Sequence, residues 1–339
     1  MMSSLAPRAP SRAAPSRAAP SRAPSARAPS RAPSARASAS SGVDVEAPTS
    51  STIIPSMPTG PIAVVIGGSQ GTGRAVCRRL CQQGYNTIVV ARNTANLDKA
   101  TQALQGDLQP SRVLASVSAD ITNAESVQSL AASVTEATGG RLDLLVNVAG
   151  VCLTAPFGAT TEDDWQWIME SNFMGHVRTT RAFLPMLLDA DARRGSSPAP
   201  MPPTIAFVNS FGAVLPLKGM SAYTASKFAL RGLAESLRPE LAPKGVHVTS
   251  VHPGVIKSDF LDRAVYKESA MDTEKMRELL SSSTPGLQTP EEVADEVISA
   301  IERKKEEVMV GLPFQAAATT YRVTGANPFA LAGPDNVSL

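Results

Sequence analysis

A glycine cluster set between an apolar strand and a helix constrains this chain more than any other feature. Residues 62–66, IAVVI, form a β-branched run long enough for a strand covered on both faces. The run meets Gly67, Gly68, Gly71 and Gly73, and a helical pattern follows over residues 74–83. Glycines suit a turn that must be tight and must bring backbone N–H groups close to an anion. The helix behind them adds free N–H groups and the positive end of its dipole. A second apolar run at residues 87–91 completes a strand–turn–helix–strand unit. Such a unit ordinarily holds the pyrophosphate of a dinucleotide, and the candidate contacts are Gly67, Ser69, Gln70, Gly71, Thr72 and Gly73.

The spacing is G-x-x-x-G-x-G, not G-x-G-x-x-G, so the flanking strands and helix carry the inference. Glycines alone would equally fit a tight turn with no ligand. Arg92 ends the second strand, 19 residues after Gly73, with no Asp or Glu between them. An acid there would hold the ribose 2′-hydroxyl of NAD, whereas an arginine pairs with the 2′-phosphate of NADP. The expected cofactor is NADP(H).

At 339 residues, 43% of them hydrophobic, the chain can build one large α/β domain or two small ones. Its net charge of +2 is unevenly spread, because the first 43 residues hold seven arginines and no acid. The remainder is slightly acidic and lacks the basic face of a nucleic-acid-binding domain. No apolar run reaches the length of a membrane-spanning helix. Three cysteines are too few for a disulfide framework, and Cys77 and Cys81, four apart, read as core thiols. His176, His247 and His252 are scattered and offer no metal set; His252 is expected to pack or hydrogen-bond near a strand end. Residues 1–58 repeat a Pro-Ser-Arg-Ala unit without an apolar face and are expected to be disordered. Their Arg- and Ser-rich, acid-free composition matches an organelle transit peptide, and the frequent prolines favour a plastid over a mitochondrion. A disordered cytosolic tail is the alternative.

From residue 61 onward strand and helix alternate. Further strands are expected at residues 113–117, 142–146, 205–208, 246–251 and 307–310. Helices are expected at 94–104, 122–134, from 161 onward, 221–237 and 289–304. Thr122 with Glu125, and Thr289 with Glu292, have capping-box spacing. Residues 189–203 read as a surface loop, 257–288 as a polar excursion, and 312–339 as a weakly apolar helix with a loose end. Alternation this regular predicts a single doubly wound α/β domain, with a mostly parallel seven-stranded sheet covered on both faces.

In an open parallel sheet, ligands sit outside the carboxyl ends of the strands. Asp120, residues 147–150, Ser210 and Pro253-Gly254 all fall at such ends. Tyr223 and Lys227 are four apart near a helix start and therefore face one way. A free tyrosine has a pKa of about 10, and a nearby ammonium is expected to lower it. A tyrosine so tuned can give a proton to a carbonyl oxygen while a nicotinamide delivers hydride to the carbon. Ser210 would hydrogen-bond the same oxygen. Taken alone, Tyr-x-x-x-Lys is common on helix surfaces; its weight comes from its company.

The glycine turn, N-x-A-G at residues 147–150, Asn172, Ser210 thirteen residues before Tyr223, and Pro253-Gly254 occur in one order. Together they resemble the short-chain dehydrogenase/reductase family over residues 60–311. The resemblance implies a Rossmann-type domain over residues 59–311, between the leader and a C-terminal extension. It makes Asn172, Ser210, Tyr223 and Lys227 a catalytic tetrad. Tyr223 would be the general acid/base, and Lys227 would hold the nicotinamide ribose. Ser210 would orient the substrate, and Asn172 would anchor a water of the proton relay. The same resemblance implies cofactor contacts from Asp120, Asn147, Ala149, Gly150, Pro253, Gly254, Val255 and Ser258. Ile66 and Val148 stand where the family usually has Thr and Asn, which removes hydrogen bonds near the turn but no catalytic group. Ser258 replaces a Thr and keeps the hydroxyl.

By the same analogy, residues 151–157, 211–218 and 257–288 line the substrate pocket. Cys152, Leu153, Phe211, Val214, Leu215 and Leu217 make that lining mostly apolar. The implied activity is an NADP(H)-dependent carbonyl reductase or alcohol dehydrogenase acting on a hydrophobic carbonyl or alcohol. As is common in the family, a homodimer or homotetramer is expected. A 3-oxoacyl reductase of fatty-acid synthesis, and an NADP(H)-binding sensor or scaffold without turnover, are the alternatives.

Overall fold

The computed structural model describes residues 54–190, 201–260, 262–268 and 287–327. The expectations for the leader up to residue 53, most of the 189–203 loop, the middle of the 257–288 excursion and residues 328–339 lie outside these. In chain order the elements are β1 (Ile62–Ile66), α1 (Gly71–Gln82), β2 (Asn86–Ala91), α2 (Thr94–Leu104), β3 (Leu114–Ser118), α3 (Ala124–Thr138) and β4 (Leu144–Asn147). There follow β5 (Leu153–Thr154), α4 (Glu162–Met169), α5 (Gly175–Leu188), β6 (Thr204–Val208), α6 (Ser221–Leu241) and β7 (His247–His252). The last are β8 (Val265–Tyr266), α7 (Pro290–Glu302), β9 (Glu307–Met309) and α8 (Leu312–Thr324).

Seven strands form one sheet in the order β3-β2-β1-β4-β6-β7-β9, and every neighbouring pair is parallel. β1, third of the seven, is an interior strand with all five residues buried, as its unbroken apolar run requires. Its alternate side chains point to opposite faces. Ile62, Val64 and Ile66 join the core under α3, α5 and α6, while Ala63 and Val65 join the core under α1, α2 and α7. The chain leaves β1 for β2 and β3 on one side and returns to β4 on the other. The turns after β1 and β4 therefore flank the switch point, where an α/β sheet opens a crevice.

Local departures have physical causes. α1 begins at Gly71, three residues earlier than the hydrophobic pattern suggests, because its first turn is the glycine turn itself. The cap of α3 is Asn123, whose Oδ1 accepts from Ser126 N–H at 3.0 Å. Thr122 instead donates its hydroxyl to Asp120 Oδ1 at 2.8 Å, so the expected Thr122–Glu125 box does not form. The boxes at Thr161–Asp164 and Thr289–Glu292 are present. Two features went unforeseen. A π-helical turn, Glu170–Met174, joins α4 to α5, and β5 pairs with β8, two residues each, too short to show a period. At the N-terminal side, Ile54 and Met57 are buried in the core, and Met57 N–H donates to Ala137 O at 2.8 Å. The folded body thus reaches back at least to Ile54, ahead of the boundary expected at residue 58. Among the described residues no helix is long and apolar enough to cross a membrane.

Candidate active site

The turn after β1 is shaped by contacts that leave no room for side chains. Gly67 has φ +87°, and a Cβ there would lie 2.6 Å from Ala149 N. A Cβ on Gly73 would lie 2.1 Å from Gly67 O. Backbone bonds lock this turn to its neighbours: Gly67 and Gly68 N–H donate to Val90 O, and Val148 and Ala149 N–H donate to Ile66 O. These main-chain bonds hold the site together despite Ile66 and Val148. The α1 N-terminus has no side-chain cap and no acid in its first turn, which leaves its leading N–H groups free for an anion.

A cleft of about 600 Å³ runs from this turn along the carboxyl ends of the strands. Gly67, Ser69, Gln70, Gly71, Thr72, Gly73, Arg92, Asp120, Ala149, Gly150, Ser210, Tyr223, Lys227, Pro253, Gly254, Val255 and Ser258 all line it. Asn147 and Asn172 do not; both are fully buried behind its wall. At one end Arg92 Nη1 lies 3.9 Å from Asp120 Oδ2, a loose and largely exposed pair.

At the other end, Ser210 Oγ accepts from Gly212 N–H at 3.1 Å, which leaves its own O–H to donate. A Cβ on Gly212 would sit 3.3 Å from Tyr223 Cε1 and 3.4 Å from Ser210 Oγ, so phenol and hydroxyl converge over this glycine. A Cβ on Gly150 would sit 3.2 Å from Asn172 Oδ1 and 3.4 Å from Lys227 Nζ. Asn172 Oδ1 accepts from Val151 N–H at 2.8 Å, and its Nδ2 donates to Val151 O and Ser226 Oγ at 3.0 and 3.1 Å. Its side chain is therefore committed to pinning the β4 loop against α6.

The electrostatics differ from expectation at one point. Tyr223 was expected to have a lowered pKa; burial instead raises it above the ordinary value, with the bond to Ser210 acting the other way. Lys227 Nζ stands 5.6 Å from the Tyr223 ring centroid and is itself pushed down to about 8 by burial. Desolvation is the largest influence on both groups. Burial also pushes the Cys152 thiol up to about 12, so it lines the cleft as a neutral apolar group. Cys77 and Cys81 are buried free thiols.

Two residues of the site were not foreseen. His176 is fully buried, with Nε2 2.8 Å from Ala149 O and Nδ1 3.2 Å from Asn147 Oδ1. Burial, with the charge of Lys227, lowers its pKa to about 3, so it is neutral. Ala149 O and Asn147 Oδ1 both only accept, so the neutral ring can donate to just one of them, and the shorter contact assigns the proton to Nε2. Asn209 lines the cleft, and its Nδ2 donates to Lys227 O at 3.1 Å. The one signal for His176 was its spacing of four from Asn172 at the helix junction; Asn209 gave none beyond its place at a strand end.

A sheet whose switch point opens into a glycine-walled cleft, with a buried phenol and ammonium at its floor, defines an α/β nucleotide-dependent oxidoreductase. The sequence model of the family described as short chain dehydrogenase matches residues 61–269. The chain is 34% identical over 200 residues to human dehydrogenase/reductase SDR family member 2, mitochondrial, covering 59% of this chain and 66% of that protein. It is 32% identical over 241 residues to the 3-dehydrosphinganine reductase of Danio rerio, covering 70% and 68%. Of these two curated relatives the chain spans about two thirds of the length. Among solved structures, a short-chain dehydrogenase from Streptomyces avermitilis superposes with a TM-score of 0.65 at 28% identity, covering 81% of this chain and 96% of that one. A short chain dehydrogenase/reductase from Burkholderia phymatum in complex with NAD shares the fold, with a TM-score of 0.67 at 23% identity over 83% and 99%. The chain belongs to the short-chain dehydrogenase/reductase family.

Proposed function

We propose that this protein reduces the carbonyl group of a hydrophobic small molecule with NADPH, or runs the reverse oxidation with NADP. The observation that carries the reading is the convergence of Ser210 Oγ and the Tyr223 ring over Gly212, with Lys227 alongside, in the cleft that begins at the glycine turn. The uncapped α1 N-terminus and the absent Cβ atoms of Gly67 and Gly73 fit a pyrophosphate. When bound, the nicotinamide supplies or accepts the hydride.

Tyr223 holds its proton at neutral pH, since burial raises its pKa, and so stands ready as an acid toward a carbonyl oxygen. Ser210 O–H donates to the same oxygen. Lys227 still carries its charge at pH 7 and favours the phenolate as it forms. Asn172 keeps Gly150 and Val151 in place beside Lys227. Arg92 supports NADP over NAD: its loose pair with Asp120 is worth no more than about 1 kcal/mol, and a 2′-phosphate would be a stronger partner. Val151, Cys152, Trp167, Phe211, Leu217 and Met220 give the substrate end an apolar wall. The relative named for 3-dehydrosphinganine reduction acts, by that name, on a ketone. The leader supports delivery to a plastid, and the family resemblance supports a homodimer or homotetramer.

The test compares the full chain with Tyr223→Phe, following NADPH and NADH oxidation against long-chain ketones, aldehydes and 3-oxoacyl thioesters. Turnover should prefer NADPH and fall by at least about a hundredfold in the variant, with dinucleotide binding nearly unchanged. Equal turnover in both proteins would refute the role of Tyr223. Tight binding with no turnover in either direction would instead mark a binding protein, and a preference for acyl carrier thioesters a 3-oxoacyl reductase.

A further inference from the structure

The C-terminal helix lies beyond the family match, which ends at residue 269, yet it touches the catalytic end of the cleft at three separate points. The first is packing. The Phe314 ring meets the Phe211 ring with centroids 4.9 Å apart, next to Ser210. The same ring fills the space over Gly254, where a Cβ would lie 2.1 Å from Phe314 Cε2. The second is a polar chain. Ser210 O faces His252 Nδ1 at 3.1 Å, His252 Nε2 faces Glu307 Oε1 at 3.2 Å, and Glu307 Oε2 pairs with Arg322 Nη2 at 2.9 Å. Arg231 on α6 holds the same Glu307 Oε1 at 2.8 Å. The third is the helix end, where Asn327 Nδ2 donates to Pro216 O at 2.6 Å.

We infer that α8, with Phe314, Arg322 and the following Asn327, is a positioning element that clamps the Ser210–Leu217 loop and the Pro253–Val255 loop into the geometry the reaction needs. The inference rests on reading those two loops as substrate- and cofactor-facing. The adenine end of the cleft, around Arg92 and Asp120, has no such contact with α8 in the bonds described. Loss of the clamp should therefore disturb one end of the cleft only. Phe314 is the centre of the contact, because its ring reaches both loops.

Hydrogen–deuterium exchange on the full chain tests this without any need for turnover. In Phe314→Ala, amides in residues 210–217 and 254–256 should exchange at least about tenfold faster, which is about 1.4 kcal/mol of local opening. β1, β2 and α1 should keep their protection, and Phe314→Leu should restore most of what was lost in the loops. Asn327→Ala, a half-buried change that leaves Phe314 in place, should loosen residues 216–219 and spare 254–256. Unchanged exchange in both loops, or a uniform rise across the sheet, would overturn the inference. In turnover, Phe314→Ala should lower kcat by about tenfold while affinity for 2′,5′-ADP, the adenine half of NADP, stays within about twofold. If the wild-type protein reduced nothing, the reductase reading would fail while the exchange result would still decide the role of α8.

Discussion

At the residue scale, the site depends on groups kept in one protonation state by burial. His176 shows how this couples to stability. Its native pKa is pressed down to about 3, whereas in the unfolded chain it would titrate near its ordinary value of about 6.5. Between those values the unfolded state binds a proton that the native state does not, so stability rises with pH across this window and falls on acidification. Between pH 7.5 and 5 the histidine should account for about 2 kcal/mol of lost stability. His176→Gln keeps an N–H for Ala149 O and removes the titration. Its melting temperature should fall less than that of the wild type over the same pH interval; parallel slopes would show that the histidine is not the group responsible. His247 and Glu307 have pKa values shifted downward too, so a residual acid slope is expected in the variant. The convergence of Ser210, Tyr223 and Lys227 on one cleft was legible in the chain from their types, order and spacing. His176 and Asn209 were not, because their partners, the backbone carbonyls of Ala149 and Lys227 and the side chain of Asn147, are brought near only by the fold.

At the element scale, the strand–turn–helix unit was readable because an apolar run, glycines and a helical period follow one another within a few residues. The paired carbonyls and amides that join β1 to the β4 turn were not, since main-chain bonds leave no mark on residue type. Gly73 is where these two levels meet. A Cβ there meets Gly67 O and Gly67 C at 2.1 and 2.9 Å, both backbone atoms that cannot swing away. Gly73→Ala should therefore push α1 off the turn, costing about 1–3 kcal/mol of stability and most of the dinucleotide affinity. Gly106→Ala makes the control, because nothing lies within 4 Å of its Cβ position. Calorimetry and dinucleotide titration of the two variants decide it; equal behaviour would mean the turn relaxes at no cost. The π-helical turn at Glu170–Met174 eluded the pattern for a related reason. One inserted residue shifts the phase of a helix without changing its composition.

At the scale of the whole molecule, composition separates an Arg-rich leader from a slightly acidic folded body, but it does not mark where one ends. Ile54, next to Ile53, and Met57 stand among Ser, Pro and Thr with no period to reveal them, yet Ile54 and Met57 are buried. Pro58 O also accepts from Asn86 Nδ2 at 3.3 Å and from Arg141 Nη2 at 3.4 Å. The segment before β1 is thus a strap on the core. Two shortened chains separate address from strap. One that starts at residue 51 should match the full chain in stability and turnover, because among the described residues the buried contacts begin at Ile54. One that starts at residue 59 loses two buried apolar side chains and the Met57–Ala137 bond, and should be less stable by about 3 kcal/mol or more in denaturant unfolding. Residues 1–50 fused to a fluorescent protein should then suffice for plastid entry in a photosynthetic cell. A uniform cytosolic signal would refute the plastid address. Equal stability of the two shortened chains would show that the strap contributes nothing and that the boundary lies at residue 58 after all.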